Sequence, residues 1–235
     1  PYEVVEANLK QQKGMMELVT PTLVEGMVQA SVQPQIDRSE GVLTKDLALN
    51  LVNQGFAVHT LLPKKDVVVA VYQEYLQAHA VEKDDIWAAR QVDLSGRDDL
   101  HEVVIGVWDS GVDEAIFVEL GQAWTNPDEI AGNGRDDDGN GFVDDIHGIY
   151  YDIDANVVSE PLYPVEEVED PRVLQRRMKG LRDLQMAIDS EESSELKQVA
   201  GSMTQDEVEP FMEAISAYGN HSHGTHVAGI AAEGN

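Results

Sequence analysis

Three histidines lie close together near the end of the 235-residue sequence, at positions 221, 223 and 226. The small and apolar run Val227-Ala228-Gly229-Ile230-Ala231 follows them, with apolar side chains at the i, i+3, i+4 spacing of one helix face. Ser222 is a good N-cap residue. The pattern predicts a buried helix that begins at Ser222 and holds His223 in its first turn, where an imidazole can act as general base or general acid.

A carboxylate that could orient such a histidine follows the apolar run Val-Val-Ile-Gly-Val-Trp at 103–108. A run that is apolar on both faces is typical of a central parallel strand, and the catalytic groups of parallel sheets gather at the carboxyl ends of the strands. Asp109 stands at that end. The sequence therefore predicts a strand over 103–108 with Asp109 in a site at the edge of the sheet.

Two motifs built on these residues resemble those of one family. His-Gly-Thr-His-Val-Ala-Gly at 223–229 resembles the histidine motif of the subtilisin-like serine peptidases, and Val-Trp-Asp-Ser-Gly-Val-Asp at 107–113 is similar to their aspartate motif. Both stand in the family's chain order of aspartate, histidine and serine. The resemblance implies a serine endopeptidase acting on a polypeptide substrate, with His223 as general base and Asp109 as the group that orients it.

The same resemblance bears on the nucleophile. Family members place it in a Gly-Thr-Ser motif after the histidine, and no such motif follows His223. Gly201-Ser202-Met203-Thr204 precedes the histidine and is expected to be a linker. The sequence begins at Pro1 without a signal segment, so we expect the N-terminal part of a longer product. That part is expected to be inactive until the remaining C-terminal part of the catalytic domain supplies the serine.

The fold expected from the resemblance is α/β, the N-terminal part of a three-layer domain with a parallel sheet. Residues 1–97 are predicted to be a mostly helical module, with a propeptide-like role suggested by position alone. Residues 98–235 are predicted to begin the catalytic domain, with an insertion at about 152–219, because Asp109 and His223 are far apart in the sequence. Apolar residues at helical spacing predict that the insertion is mostly helical.

An acidic loop, Asp136-Asp137-Asp138-Gly139-Asn140-Gly141-Phe142-Val143-Asp144-Asp145, lies between the two motifs. A carboxylate or amide at every second position, with glycine at the sixth, matches the start of an EF-hand-type calcium loop. The predicted ligands of Ca²⁺ are the side chains of Asp136, Asp138 and Asn140, the carbonyl of Phe142, and a carboxylate of Asp144 or Asp145. His147 stands where an EF-hand has its bidentate glutamate, so an acidic turn without metal is the alternative.

Charge and composition narrow the classes of partner. The sequence has 44 acidic and 16 basic residues, and 31 of the acidic ones lie in 98–235. Such a surface repels nucleic acid and anionic membranes, so both are excluded as partners. No apolar run is long enough to span a bilayer. The absence of cysteine and the acidic surface fit an enzyme that is secreted to the periplasm or the extracellular space.

Two other functions remain open at this point. His221, His223 and His226 could form a metal site, because histidines at i and i+3 on a helix can share a cation. A calcium-binding or interaction module without catalysis is the other alternative. The resemblance also implies that strands later in the family's chain cover the histidine helix and the strand over 103–108. Without those strands, we expect the chain to self-associate or to hold the residues after Tyr218 loosely.

Overall fold

The computed structural model describes residues 2–81, 84–86, 88–94, 96–152, 154–165 and 170–232. The chain divides into two compact units. The first, called the helical unit below, consists of Pro1–Arg90 and Glu169–Ile215. The second, called the motif unit, consists of Gln91–Val168 and Ser216–Asn235, and it contains both sequence motifs and the acidic loop.

The helical unit combines helices from two separate stretches of the sequence. Its first stretch contains α1 (Tyr2–Leu18), α2 (Pro21–Met27), α3 (Gln33–Arg38), α4 (Lys45–Phe56) and α5 (Lys65–Ala78), with π-helical turns at Val28–Val32 and Ala57–Leu61 and 3₁₀ turns at Leu62–Lys64 and Ala88–Arg90. Its second stretch contains α7 (Pro171–Gln185), α8 (Glu191–Ser202) and the start of α9 (Gln205–Ala232). The helical part of the predicted insertion therefore shares one unit with the N-terminal helices.

The core of this unit joins the two stretches. Leu184 of α7, Leu196 of α8 and Phe211 of α9 are buried together, and Leu18 of α1 packs against them. Ser190 and Ser193 close a capping box at the start of α8, each hydroxyl accepting the other residue's backbone N–H. Burial of these apolar side chains is the main stabilising term, at about 25 cal/mol per Å² removed from water.

Glycines allow helices of the unit to approach each other closely. A Cβ placed on Gly14 of α1 would lie 2.1 Å from the carbonyl oxygen of Leu184, and one on Gly180 of α7 would lie 2.4 Å from that of Glu192. Backbone atoms cannot give way as a flexible side chain can. Glycine at these two positions is therefore required by packing, although it lowers the intrinsic stability of a helix.

The motif unit contains little regular secondary structure. Its elements are the short helix α6 (Glu114–Glu119), the strands β1 (Tyr150–Tyr151) and β2 (Val157–Val158), and the part of α9 from Ser216 onward. The strands pair antiparallel, with Tyr150 opposite Val158 and Tyr151 opposite Val157. Most of the rest consists of turns, many of them at glycines with positive φ.

Residues 103–108, predicted to be a central parallel strand, form no strand, and no described segment pairs with them. Val103, Val104 and Ile105 are exposed, and Trp108 is 88% exposed. A parallel strand needs neighbours that arrive by long crossover connections, and the described residues contain only the β1–β2 pair. Residues 103–108 would be unpaired and exposed both in a truncated subtilisin-like domain and in a different fold. The parallel sheet therefore stays a prediction.

The predicted start of the histidine-bearing helix is wrong. The helix does not begin at Ser222, because α9 is continuous from Gln205 to Ala232. Ser222 lies inside the helix and directs its hydroxyl to the carbonyl oxygens of Tyr218 and Gly219, at 3.0 and 3.3 Å. This back-bonding to the preceding turn is the alternative that a serine has to capping, and a sequence window around residue 222 does not distinguish the two.

None of the helices in the described part of the chain combines the length and the apolar character needed to cross a membrane.

Candidate active site

Asp109 and His223 meet in the motif unit, although 114 residues separate them in the sequence. Oδ1 of Asp109 lies 2.5 Å from Nδ1 of His223. The carboxylate follows the apolar run 103–108, and the imidazole projects from α9. The structure thus brings together the two side chains that the motifs single out.

Ser110, which sequence reasoning did not assign a role, ties the two motifs together. Its backbone N–H donates to Oδ1 of Asp109 at 2.7 Å, and its hydroxyl oxygen accepts the backbone N–H of Gly224 at 3.3 Å. The same hydroxyl lies 2.5 Å from the carbonyl oxygen of Asn220. The Asp-Ser-Gly order therefore holds the turn after residue 108 against the helix that carries His223.

Two glycines make this close approach possible. A Cβ on Gly224 would lie 2.2 Å from the carbonyl oxygen of Gly111, and a Cβ on Gly111 would lie 2.1 Å from that of Pro161. Gly111 also has a φ of +119°, in the region that favours glycine. A side chain at either position would force the backbone segments apart, and with them Asp109 and His223.

The electrostatics of the pair favour an ionised aspartate. The hydrogen bond to His223 lowers the pKa of Asp109 below its ordinary value, and the N–H of Ser110 lowers it further. A carboxylate that accepts the Nδ1 proton fixes the histidine tautomer, so that Nε2 carries the free lone pair. The side chain of His223 is 61% exposed, which leaves the ring accessible to a reacting group.

Residues 161–163, which lie in the predicted insertion, contact the aspartate motif and the helix that carries the histidine motif. Leu162 forms an isolated antiparallel bridge with Gly111, and the carbonyl oxygen of Tyr163 lies 2.8 Å from Nδ1 of His221. A cavity of about 310 Å³ opens beside this segment. It is lined by Asp113, Leu162, His221, Ser222, Thr225 and His226. Its volume is at the lower end of ligand pockets.

No serine or threonine hydroxyl of the described residues is hydrogen-bonded to His223. The hydroxyl of Ser110 is directed to Asp109, Asn220 and Gly224, on the aspartate side of the pair. Ser202 belongs to α8 in the helical unit, where its hydroxyl donates to the carbonyl oxygen of Val199. Asp109 and His223 are thus paired, and among the described residues no serine or threonine hydroxyl is hydrogen-bonded to the imidazole.

The three histidines of the motif do not come together as a metal-ligand set within the described residues. His221 and His223 are two residues apart, so they project from different sides of α9. Their Nδ1 atoms have separate partners, the carbonyl oxygen of Tyr163 and the carboxylate of Asp109. This geometry argues against a metal site formed by all three histidines.

Carboxylates that are predicted to bind calcium accept hydrogen bonds from backbone N–H groups of the loop or of the residues just before it. Asp136 accepts the backbone N–H groups of Gly139, Asn140 and Gly141, and these bonds, that of Gly141 most of all, lower its pKa. Asp144 accepts the N–H groups of Asn133 and Gly134.

Two further predicted ligands, Asn140 and Phe142, also have partners within the protein. Oδ1 of Asn140 accepts the N–H of Phe142 at 2.8 Å, and the Phe142 ring meets Tyr151 edge-on. Within the described residues, the carboxylates of Asp136, Asp138 and Asp144 do not come together around one point, and the five-ligand set stays a prediction.

A different set of carboxylates does converge, consisting of Glu129, Asp138 and Asp145. Asp138 is the only member predicted as a main ligand, and Asp145 was the alternative to Asp144. Sequence reasoning missed Glu129, because it precedes the loop and lies outside the EF-hand spacing. Its one sequence signal is the position directly after Asn126-Pro127-Asp128, a combination typical of turns.

No family model, no curated protein and no solved structure matches the chain.

Proposed function

We propose that this chain is part of a subtilisin-like serine endopeptidase. The observation that supports the proposal is the 2.5 Å contact between Oδ1 of Asp109 and Nδ1 of His223. The two residues come from the two motifs that resemble the family, and each motif has further contacts that serve the pairing, through Ser110 and Gly224.

The proposed chemistry is acyl transfer to a serine. Nε2 of His223 takes the proton of the serine hydroxyl as its oxygen attacks the scissile carbonyl carbon, and the resulting imidazolium is stabilised by Asp109. His223 then gives the proton to the leaving amine, and the peptide C–N bond breaks. Water hydrolyses the acyl-enzyme with His223 again as the base, which regenerates the serine.

The serine of this mechanism is proposed to come from residues other than 1–235. The hydroxyl groups of the described residues leave His223 without a nucleophile, while its ring is exposed. The apolar side chains of 103–105 and Trp108 are exposed on the same unit. They offer a surface on which further strands of the catalytic domain would pack.

The proposed setting is the periplasm or the extracellular space. The excess of acidic residues and the absence of cysteine are compatible with an exported enzyme. Calcium, which is abundant outside cells, would also be available there to the acidic loop.

The proposal is tested by comparing the 235-residue chain with a longer product of the same open reading frame. We expect the longer protein to hydrolyse casein and to be labelled on a serine by a fluorophosphonate probe. We expect the 235-residue chain to do neither, because no acyl intermediate forms without a nucleophile. If the 235-residue chain cleaves casein and Asp109→Ala abolishes that cleavage, the proposal that the serine comes from residues other than 1–235 is overturned.

A longer protein that has no reactive serine but retains the fold would favour the other candidate, a calcium-binding or interaction module. The convergence of Glu129, Asp138 and Asp145 is the observation that supports this candidate. The two functions are distinguishable, because probe labelling reports the serine and metal titration reports the carboxylates.

Self-association of the 235-residue chain is expected through the same apolar surface. Val103, Val104, Ile105 and Trp108 are exposed within six residues of one another, and burying them between two copies is favourable despite the net charge of −28. Light scattering should give a mass above that of a monomer, and Trp108→Lys/Ile105→Lys should reduce it. A monodisperse monomer at high protein concentration would contradict this expectation.

A further inference from the structure

Three carboxylates of the motif unit come together around one point. Glu129, Asp138 and Asp145 each bring an oxygen atom to within 4.8 Å of the others. No ion pair of the described residues involves any of the three. Like charges at this separation repel each other, and a bound cation would relieve the repulsion.

Glu129 is buried, and only one of its two carboxylate oxygens is held by hydrogen bonds. It is 8% exposed, and its Oε1 accepts the backbone N–H groups of Asp137 and Asp138 at 2.8 and 3.1 Å. Its Oε2 is buried and has no hydrogen-bond partner among the described residues. A buried carboxylate oxygen without a partner is costly, and protein interiors normally provide one.

Asp145 repeats this arrangement from the other end of the loop. Its Oδ2 accepts a hydrogen bond from the side-chain amide of Asn140 at 3.0 Å. Its Oδ1 is buried and, within the described residues, also lacks a hydrogen-bond partner. Two of the three carboxylates thus have one oxygen that is fixed by an N–H group and one that is left without a partner.

Asp138 is oriented by two amides. Its Oδ2 accepts from the side chains of Asn126 and Asn140, at 3.1 and 3.0 Å, and its Oδ1 accepts the backbone N–H of Asn140. Asn126 is itself buried, and its backbone N–H donates to the carbonyl oxygen of Ile146. Such outer-shell hydrogen bonds hold metal ligands in their working orientation.

We propose that Glu129, Asp138 and Asp145 bind one Ca²⁺ ion. The donors are all hard carboxylate oxygens, which suits calcium and argues against zinc or copper, whose sites use histidine and cysteine. Calcium accepts flexible coordination with water completing its shell, whereas magnesium demands a near-octahedral arrangement. The site differs from the EF-hand pattern of the loop in two ways. It uses Glu129 from outside the loop, and Asp136 and Asp144 are not ligands but accept backbone N–H groups.

Calorimetric titration of the chelator-treated 235-residue chain with calcium chloride tests the site. Glu129→Gln keeps the acceptor oxygen for Asp137 and Asp138 but removes the charge. We expect this variant to bind Ca²⁺ at least about tenfold more weakly than the wild type. Asp128→Asn is the matched control, because it removes one charge from an exposed neighbour, and its affinity should stay within about threefold. No binding by the wild type, or equal affinities of wild type and Glu129→Gln, would overturn the proposal.

Asp144→Asn separates this site from the EF-hand arrangement. Asp144 is a ligand only in the EF-hand arrangement, so in the proposed site its variant should bind calcium within about threefold of the wild type. A loss in Asp144→Asn that exceeds the loss in Glu129→Gln would overturn the assignment of the ligands.

Thermal melts give a second readout, the stability of the protein with and without calcium. Calcium at a large excess should raise the melting temperature of the wild type by about 5 °C, because the ion binds only the folded state. In chelator, Glu129→Gln should melt at the same temperature as the wild type or higher, since one of three repelling charges is gone. A variant that melts lower in chelator and still gains the full calcium shift would contradict the site.

Discussion

Asp109→Asn is expected to lower the kcat of the complete peptidase by about 10⁴-fold. An asparagine that keeps the contact presents either an amide oxygen or an amide N–H to Nδ1 of His223. The neutral amide no longer fixes the tautomer and does not stabilise the imidazolium. KM should change little, because the aspartate does not contact the substrate in the proposed mechanism.

Asp154→Asn is the control for this measurement. Asp154 is an exposed aspartate of the same unit, and the only hydrogen bond that it makes among the described residues uses its backbone N–H. Its kcat should stay within about twofold of the wild type. A decrease of less than tenfold in Asp109→Asn would mean that Asp109 only supports the turn after residue 108, and that the proposed role of His223 needs another partner.

Gly14→Ala is expected to destabilise the helical unit by about 2 to 3 kcal/mol, the upper range for overpacking. The added methyl group would lie 2.1 Å from the carbonyl oxygen of Leu184, so α1 must move away from α7. That movement loosens the packing of Leu18 against the buried cluster of Leu184, Leu196 and Phe211. Urea unfolding followed by helical circular dichroism measures the change.

Gly55→Ala provides the matched comparison, because Gly55 also lies in a helix but a Cβ there would meet open space. Alanine is the better helix former, so this variant should gain up to about 1 kcal/mol. The two identical substitutions are thus expected to have opposite signs. Equal effects of both variants would show that helix propensity alone, and not the crossing of α1 with α7, decides stability at residue 14.

The sequence allowed some parts of the candidate site to be predicted. The apolar run before Asp109 and the small residues after His223 drew attention to two side chains that the structure brings into contact. Their pairing was implied by the resemblance of both motifs to one family, and not by any local pattern. The contacts that hold the pair, such as Ser110 with Gly224, involve residues far apart in the sequence, and no local pattern reports them.

The wrong prediction of the helix start at Ser222 has the same physical origin, because it also rested on a local pattern. A window around Ser222 contains a capping residue before an apolar run, but the helix there is already formed by residues from Gln205 onward. The EF-hand-type ligand set of the acidic loop stays a prediction, and in the structure Asp136 and Asp144 accept backbone N–H groups of nearby turns. Glu129 enters the cluster through the folding of the chain, and its spacing from Asp138 matches no motif.

The two-part construction of the helical unit also has a consequence for synthesis on the ribosome. Leu18 is made long before Leu184, Leu196 and Phe211, against which it packs. At about 5 to 20 residues per second, the interval is on the order of ten seconds. During that time α1 can contact α5, which is made soon after it, but it lacks the apolar face that α7, α8 and the start of α9 supply. It reaches its final packing only when α7, α8 and the start of α9 have left the exit tunnel.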